Sequence, residues 1–156
     1  MILGEDVLLK LVKQEKIVVG LSEFELKKPE AAGFDLRLGS IFKLGINREK
    51  IFVIDVEEGV ERFFDLKGGE QVLCTTVEEL NVPNYLFAMV YPKQELFNLG
   101  LSVSVSNHGP CSKCFVRFLL INNNKKTVRV QLGSSMLRVS FIEVKKGVKQ
   151  YNRPKK

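Results

Sequence analysis

Apolar residues recur along this chain with two different periods, and the change from one to the other predicts most of its architecture. Over residues 5–16, Val7, Leu8, Leu11 and Val12 fall at helical spacing, with Glu5 and Asp6 in the first turn and lysines later. Charges placed that way favour the helix dipole, so the pattern predicts one amphipathic helix. Residues 17–20 form a short β-branched run, and residues 21–30, closed by Pro29, read as an irregular connection. From residue 34 the period shortens to two. Strands are predicted over 34–44, 51–56, 62–66, 71–76, 86–91, 101–106, 115–122, 127–132 and 137–144, each bounded by Gly, Pro or Asn clusters. One helix followed by about ten short strands, with no alternating β-α units, predicts an all-β sandwich or barrel.

The stretch Ala31-Ala32-Gly33-Phe34-Asp35-Leu36-Arg37-Leu38-Gly39 opens the first long strand. Gly33 reads as a turn residue able to take a backbone conformation closed to other residues. Leu36 and Leu38 then share one face, while Asp35 and Arg37 share the other. Spacing alone leaves two readings open: a half-buried strand carrying a surface ion pair, and a functional site.

Composition limits the remaining possibilities. A chain of 156 residues with 45% apolar content is expected to form one domain that needs no disulfide or metal to fold. Three cysteines (Cys74, Cys111 and Cys114), no signal-peptide pattern and no apolar run near 18 residues predict a soluble cytoplasmic protein with no membrane association. The net charge of +6 comes entirely from residues 145–156, which carry six basic groups and no acidic one. Residues 1–144 carry 18 of each sign and sum to zero, so the expected organisation is a β domain over 1–144 and a basic tail over 145–156. A short basic tail that no aromatic platform or groove-reading helix accompanies only weakly suggests nucleic acid.

His108-Gly109-Pro110-Cys111-Ser112-Lys113-Cys114 contains a P-C-x-x-C element of the kind that supplies two thiolates to zinc cytidine deaminases. That chemistry also needs an upstream His-x-Glu whose carboxylate shuttles protons, and the single histidine here lacks it. A structural metal held by His108, Cys111 and Cys114, completed by a neighbouring subunit, and two ordinary loop cysteines remain as alternatives.

Five segments, in order, resemble the dCTP deaminase and dUTPase superfamily. Residues 31–39 resemble its first motif, A-S-x-D-L-R-L-G, and Met1-Ile2-Leu3 before an acidic helix resembles the start of dCTP deaminases. Thr76-Val77-Glu78-Glu79-Leu80-Asn81-Val82-Pro83 resembles T-L-E-x-V-x-L-P, and Asn98-Leu99-Gly100-Leu101 the end of G-R-S-S-L-x-R-L-G-L. Residues 133–141 resemble the G-x-x-I-x-Q-L-S-F strand. The resemblance implies a distorted β-barrel or jelly roll of the dUTPase type with one N-terminal helix. It also implies a homotrimer that binds deoxynucleoside triphosphates between subunits. Deaminases of the family activate water with a glutamate and no zinc; the dUTPases use an aspartate with Mg2+. No cofactor is therefore expected, except Mg2+ for a dUTPase-type activity.

The catalytic parts that the resemblance implies are missing. Lys93-Gln94-Glu95 stands where the family has R-S-S, and Asn98 replaces the motif's second arginine. Lys93 keeps a charge without the bidentate fork, and Glu95 sets a negative charge where phosphates would lie. The deaminase glutamate falls on Leu119 and the dUTPase aspartate on Gly109, neither of which accepts a proton. The start of a C-terminal lid is visible only as Tyr151-Asn152-Arg153-Pro154. The expectation is a non-catalytic binding, regulatory or structural homologue in which Asp35 and Arg37 are structural, held by hydrogen bonds near a subunit interface. The alternative is a divergent active dCTP deaminase or dUTPase with a base such as Glu95 or Glu143.

Overall fold

A computed structural model describes residues 1–27 and 32–145. The expected tail beyond Lys145, with the lid-like Tyr151–Pro154, and residues 28–31, including Pro29 and Ala31, lie outside the described residues. The N-terminal helix α1 (Glu5–Glu15) forms as its spacing requires: Leu8 and Val12 are buried, Glu5 and Asp6 occupy the first turn, and Lys16 closes the helix in the left-handed region. Flanking backbone ties it to the barrel, since Leu3 N–H donates to the Phe141 carbonyl and Glu143 N–H to that of Met1.

The strands are β1 (Val18–Val19), β2 (Phe34–Leu44), β3 (Lys50–Asp55), β4 (Phe63–Leu66), β5 (Gln71–Asn81), β6 (Leu86–Pro92), β7 (Leu101–Val105), β8 (Lys113–Asn122), β9 (Val128–Gln131) and β10 (Ser135–Glu143). All pair antiparallel. The main sheet runs β6-β10-β2-β5-β8-β7, with β1 added to β5 and β3 to β2, and β4-β9 forms a separate ribbon. The end strands β6 and β7 lie against each other, which nearly closes the sheet into a barrel. Alternation then fills the interior. Val72, Cys74 and Leu80 of β5 and Val116, Phe118 and Leu120 of β8 are buried beside Phe34, Leu36 and Leu38 of β2 and Val139 and Phe141 of β10. The mainly β barrel with an N-terminal helix is thus the architecture expected from the strand spacing.

Three local expectations need correction. Two further short helices are present, α2 (Glu23–Lys27) inside the supposed irregular connection and α3 (Gln94–Asn98) before β7. Five residues are too few to show a helical period, although Ser22 marks the start of α2 by accepting the Glu25 N–H at 3.3 Å. The strand predicted over 71–76 continues to Asn81 with its alternation of buried and outward residues unbroken, while its pairing with β8 shifts register between Thr75 and Glu79. Gly33 lies outside the left-handed region; glycine is needed there because a Cβ would stand 2.4 Å from the Val139 carbonyl oxygen. Gly39 is similarly close to Thr76 and Val77, so glycines flank the β2 segment that carries Asp35 and Arg37.

Candidate functional site

Asp35 and Arg37 share a face of β2, yet they do not pair with each other. Each engages a partner brought from a distant strand. The Arg37 Nε donates to Glu78 Oε1 at 2.7 Å, its backbone N–H to Oε2 at 2.8 Å, and Nη2 to the Gly20 carbonyl at 2.6 Å. The Glu78 side chain is fully buried. Burial pushes its carboxyl above the usual range, and the Arg37 hydrogen bonds pull it partly back. This arrangement locks β2 to β5 at the register shift in β5. Of the two sequence readings, the surface ion pair is replaced by a buried, bidentate contact.

Asp35 serves a second neighbourhood. Its backbone N–H donates to Glu25 Oε2 at 3.2 Å, and its Oδ2 accepts from Lys93 Nζ at 2.5 Å, with both side chains mostly buried. Asp35 Oδ1 is buried and has no hydrogen-bond partner among the described residues. Lys93 precedes α3 and is fixed by its backbone N–H to the Met136 carbonyl at 3.0 Å. Above this pair lies an open cleft of about 520 Å³ lined by Tyr91, Pro92, Lys93, Gln94, Glu95, Phe97 and Arg138. Arg138 stands in register between Asp35 on β2 and Tyr91 on β6, and the Tyr91 hydroxyl shares a 3.1 Å hydrogen bond with Ser140.

The structure therefore brings Lys93, Gln94 and Glu95 into one cleft, with Asp35 beneath, while Asn98 at the end of α3 does not line it. The lining carries two cations, Lys93 and Arg138, and one carboxylate, Glu95, while Asp35 pairs with Lys93 from beneath. Sequence reasoning missed Tyr91 and Arg138. Alternation along β6 and β10 marks them as outward residues, but only the strand order sets them beside α3.

Leu119, where the resemblance places the base, is elsewhere. It is half-buried on the outer side of β8, in a cross-strand row Phe52–Phe42–Leu73–Leu119–Ser104 that crosses five strands. Glu143 pairs with Leu86 near the end of β10 and lines neither this face nor the α3 cleft. Of the three metal-ligand candidates, His108 and Cys114 meet, Nδ1 to Sγ at 3.3 Å, while Cys111 is exposed on a turn with φ 66°. Among the described residues no three His, Cys, Asp or Glu side chains are grouped to hold a metal ion. Burial lowers the His108 pKa and raises that of Cys114, which keeps this pair as a neutral imidazole and a neutral thiol.

An antiparallel, nearly closed barrel whose first long strand carries the buried Asp35 and Arg37 contacts defines a dUTPase-type β fold. Solved structures agree. The 2'-deoxycytidine 5'-triphosphate deaminase from Agrobacterium tumefaciens superposes with a TM-score of 0.72 at 16% identity, over 92% of this chain and 48% of that one. The EIAV dUTPase superposes with a TM-score of 0.53 at 15% identity, over 83% of this chain and 89% of that one. This chain thus spans about half the length of the Agrobacterium protein. A family model described as dCTP deaminase-like matches residues 2–144, and the chain belongs to that family. Its relatives include enzymes named dCTP deaminase, dUMP-forming. The one from Hydrogenobaculum sp. (strain Y04AAS1) is 25% identical over 154 residues, covering 92% of this chain and 83% of the relative. The one from Dictyoglomus turgidum is 28% identical over 161 residues, covering 92% and 81%. No helix among the described residues is long and apolar enough to cross a membrane.

Proposed function

We propose that this chain is a non-catalytic member of its family, a homotrimeric binding, regulatory or structural homologue of deoxynucleotide enzymes. The observation that carries this reading is the surroundings of Leu119. The position expected to hold the water-activating carboxylate is an apolar side chain between Leu73 and Ser104, and β8 itself carries no carboxylate. Loss of a general base removes about 10² to 10⁴ in rate. The phosphate motif adds a second deficit, because Lys93 is already ion-paired to Asp35 and Glu95 adds negative charge to the same cleft. Phosphate oxygens entering there meet the negative charge of Glu95 while Lys93 is already engaged.

The test is incubation of the purified protein with dCTP or dUTP and Mg2+. The expected result is neither deamination nor release of pyrophosphate, and robust turnover overturns the reading. One observation favours a second reading, a divergent active enzyme. Glu95 does line the α3 cleft beside Lys93 and Arg138, a position from which a carboxylate could act as base. Turnover abolished by Glu95→Gln would establish that alternative. The homotrimer is checked separately by light scattering, where a monodisperse monomer at micromolar concentration rejects it.

A further inference from the structure

Strand β3 is covered by the rest of the chain on neither face. Its centre is a continuous apolar run, Ile51-Phe52-Val53-Ile54, the pattern of a strand buried on both sides. Yet none of its six residues is buried, and Phe52 is 59% exposed. Among the described strands β3 pairs only with β2, so its outer edge offers free backbone N–H and C=O groups. The turn joining the two strands extends this surface through Leu44 and the fully exposed Ile46. The β2–β3 hairpin is therefore an apolar arm that the single chain leaves open.

Charge separates the two ends of the arm. Arg48 and Lys50 stand at its tip, where Lys50 also lines a second cleft, of about 460 Å³, between the arm and the paired strands β5 and β8. With Lys113 and Arg117 set against one carboxylate, Glu79, that cleft carries a net charge of +2, and the half-exposed Phe115 lies between its β8 cations. Beyond the other end of β3, residues 55–61 carry Asp55, Glu57, Glu58 and Glu61, beside the exposed Val60 and Phe63. Arg62 pairs only with Glu57. Among the described residues, Arg48 and Lys50 have no carboxylate within ion-pair distance, and Glu58 and Glu61 have no cation.

One copy thus carries both halves of a contact: an apolar tip with spare cations and an apolar loop with spare carboxylates. The length of β3, roughly 20 Å, holds them apart, so a chain cannot join its own tip to its own loop. Two different patches meet head to tail, and such a heterologous contact closes into a ring when each copy is rotated by the same fraction of a turn. Opposite charges then face each other, whereas a two-fold contact of tip on tip would set cation against cation. We propose that the β2–β3 arm of one copy docks on residues 57–63 of the next, Ile46 and Ile51 burying against Val60 and Phe63 while Arg48 and Lys50 face Glu58 and Glu61. This rests on the homotrimer reading above and names the surfaces that build it.

Sedimentation equilibrium of the full chain tests it, with circular dichroism to confirm that each variant keeps the barrel. The wild-type protein is expected to assemble, and Ile46→Glu should weaken assembly by about tenfold or more with an unchanged spectrum, because Ile46 is fully exposed in the single chain. Reversing the tip (Arg48→Glu with Lys50→Glu) or the loop (Glu58→Lys with Glu61→Lys) should each weaken it by about tenfold. All four changes in one chain should restore it, since every tip then meets a loop of opposite sign. Lys10→Glu on the exposed face of α1 should leave assembly as it is. A trimer that survives Ile46→Glu and both reversals overturns the proposal and leaves the homotrimer reading standing, whereas a wild-type monomer overturns both. Failure of the fourfold variant to reassemble rejects the pairing of tip with loop. Equal loss in Lys10→Glu shows a non-specific charge effect and rejects it too.

Discussion

The strand β2 runs beneath two clefts of similar size that differ in almost every chemical respect. At one end, Asp35 holds Lys93 under the α3 cleft, so that this lysine is already ion-paired. Toward the other end, Phe42 helps to wall a cleft with an excess of two positive charges and a half-exposed ring on β8. The comparison teaches that a motif's position and its binding capacity can separate. Residues 93–95, which the sequence resemblance aligns with the family's phosphate donors, include a lysine that is already paired, whereas Lys50 and Arg117 across the barrel have no carboxylate within ion-pair distance among the described residues. The Arg37–Glu78 contact sits between the two, fixing β2 to β5 where the register of β5 shifts.

The largest expected effect comes from breaking that shared frame. Glu78→Ala leaves the Arg37 guanidinium facing a buried gap, and loss of one partner of a buried ion pair lowers stability by about 3 to 5 kcal/mol. Thermal or urea unfolding measures it, and an unchanged midpoint would show that Glu78 does not hold the frame. A pH series sharpens this point. The Glu78 carboxyl is raised above 4.5, so its contribution is complete below that value and declines as pH rises through its folded pKa. Glu78→Gln should flatten that decline.

A smaller effect is expected at the α3 cleft. Asp35→Ala removes the carboxylate opposite Lys93 and should lower stability by about 1 to 3 kcal/mol, less than at Glu78 because the Asp35 side chain is less completely buried than that of Glu78. The same substitution should raise the affinity of this cleft for inorganic triphosphate, because it removes the carboxylate paired with Lys93. Unchanged unfolding and unchanged binding together would show that Asp35 does not hold Lys93.

Beside the second cleft, the His108 pKa lies below 6.5 because burial disfavours its charged form. A depressed folded pKa contributes stability that is present above 6.5 and is lost as pH falls through the folded value. His108→Gln should therefore reduce the fall of Tm on acidification below pH 6.5, a modest change because the ring is only partly buried. An identical Tm profile in the two proteins would rule out this contribution. The smallest expected effect is none at all. Leu119→Glu should not produce dCTP deamination, because a carboxylate added to an apolar row lacks substrate positioned by phosphate anchors. Measurable turnover in that variant would show that the anchors are intact.

Much of the barrel was legible in the chain. Period-two alternation marks Leu36, Leu38, Val116, Phe118 and Leu120 as interior residues, because a pleated strand must send neighbours to opposite faces. The helix at residues 5–15 announced itself by spacing and by its early acidic residues. The two five-residue helices did not, since so short a segment shows no period. Lys93, Gln94 and Glu95 were found as a set because they are adjacent in sequence. Tyr91 and Arg138, which complete that cleft, were not, and the β5–β8 cleft was absent from the sequence reading.

The amino-acid order settles what depends on neighbours along the chain: which side of each strand is apolar, where turns interrupt it, and that residue 119 carries no proton acceptor. Partners across the barrel depend on strand order and register, and these follow from the global fit of many strands. Asp35 meets Lys93 across 58 residues and Arg37 meets Glu78 across 41, through a sheet whose pairings register shifts displace by a position between β2 and β5 and by two between β5 and β8. Local alternation can place Lys50, Phe115 and Arg117 on outward faces. Their union in one positively charged cleft arises only when β2, β3, β5 and β8 close side by side, because sheet pairing brings into contact residues that no local periodicity relates.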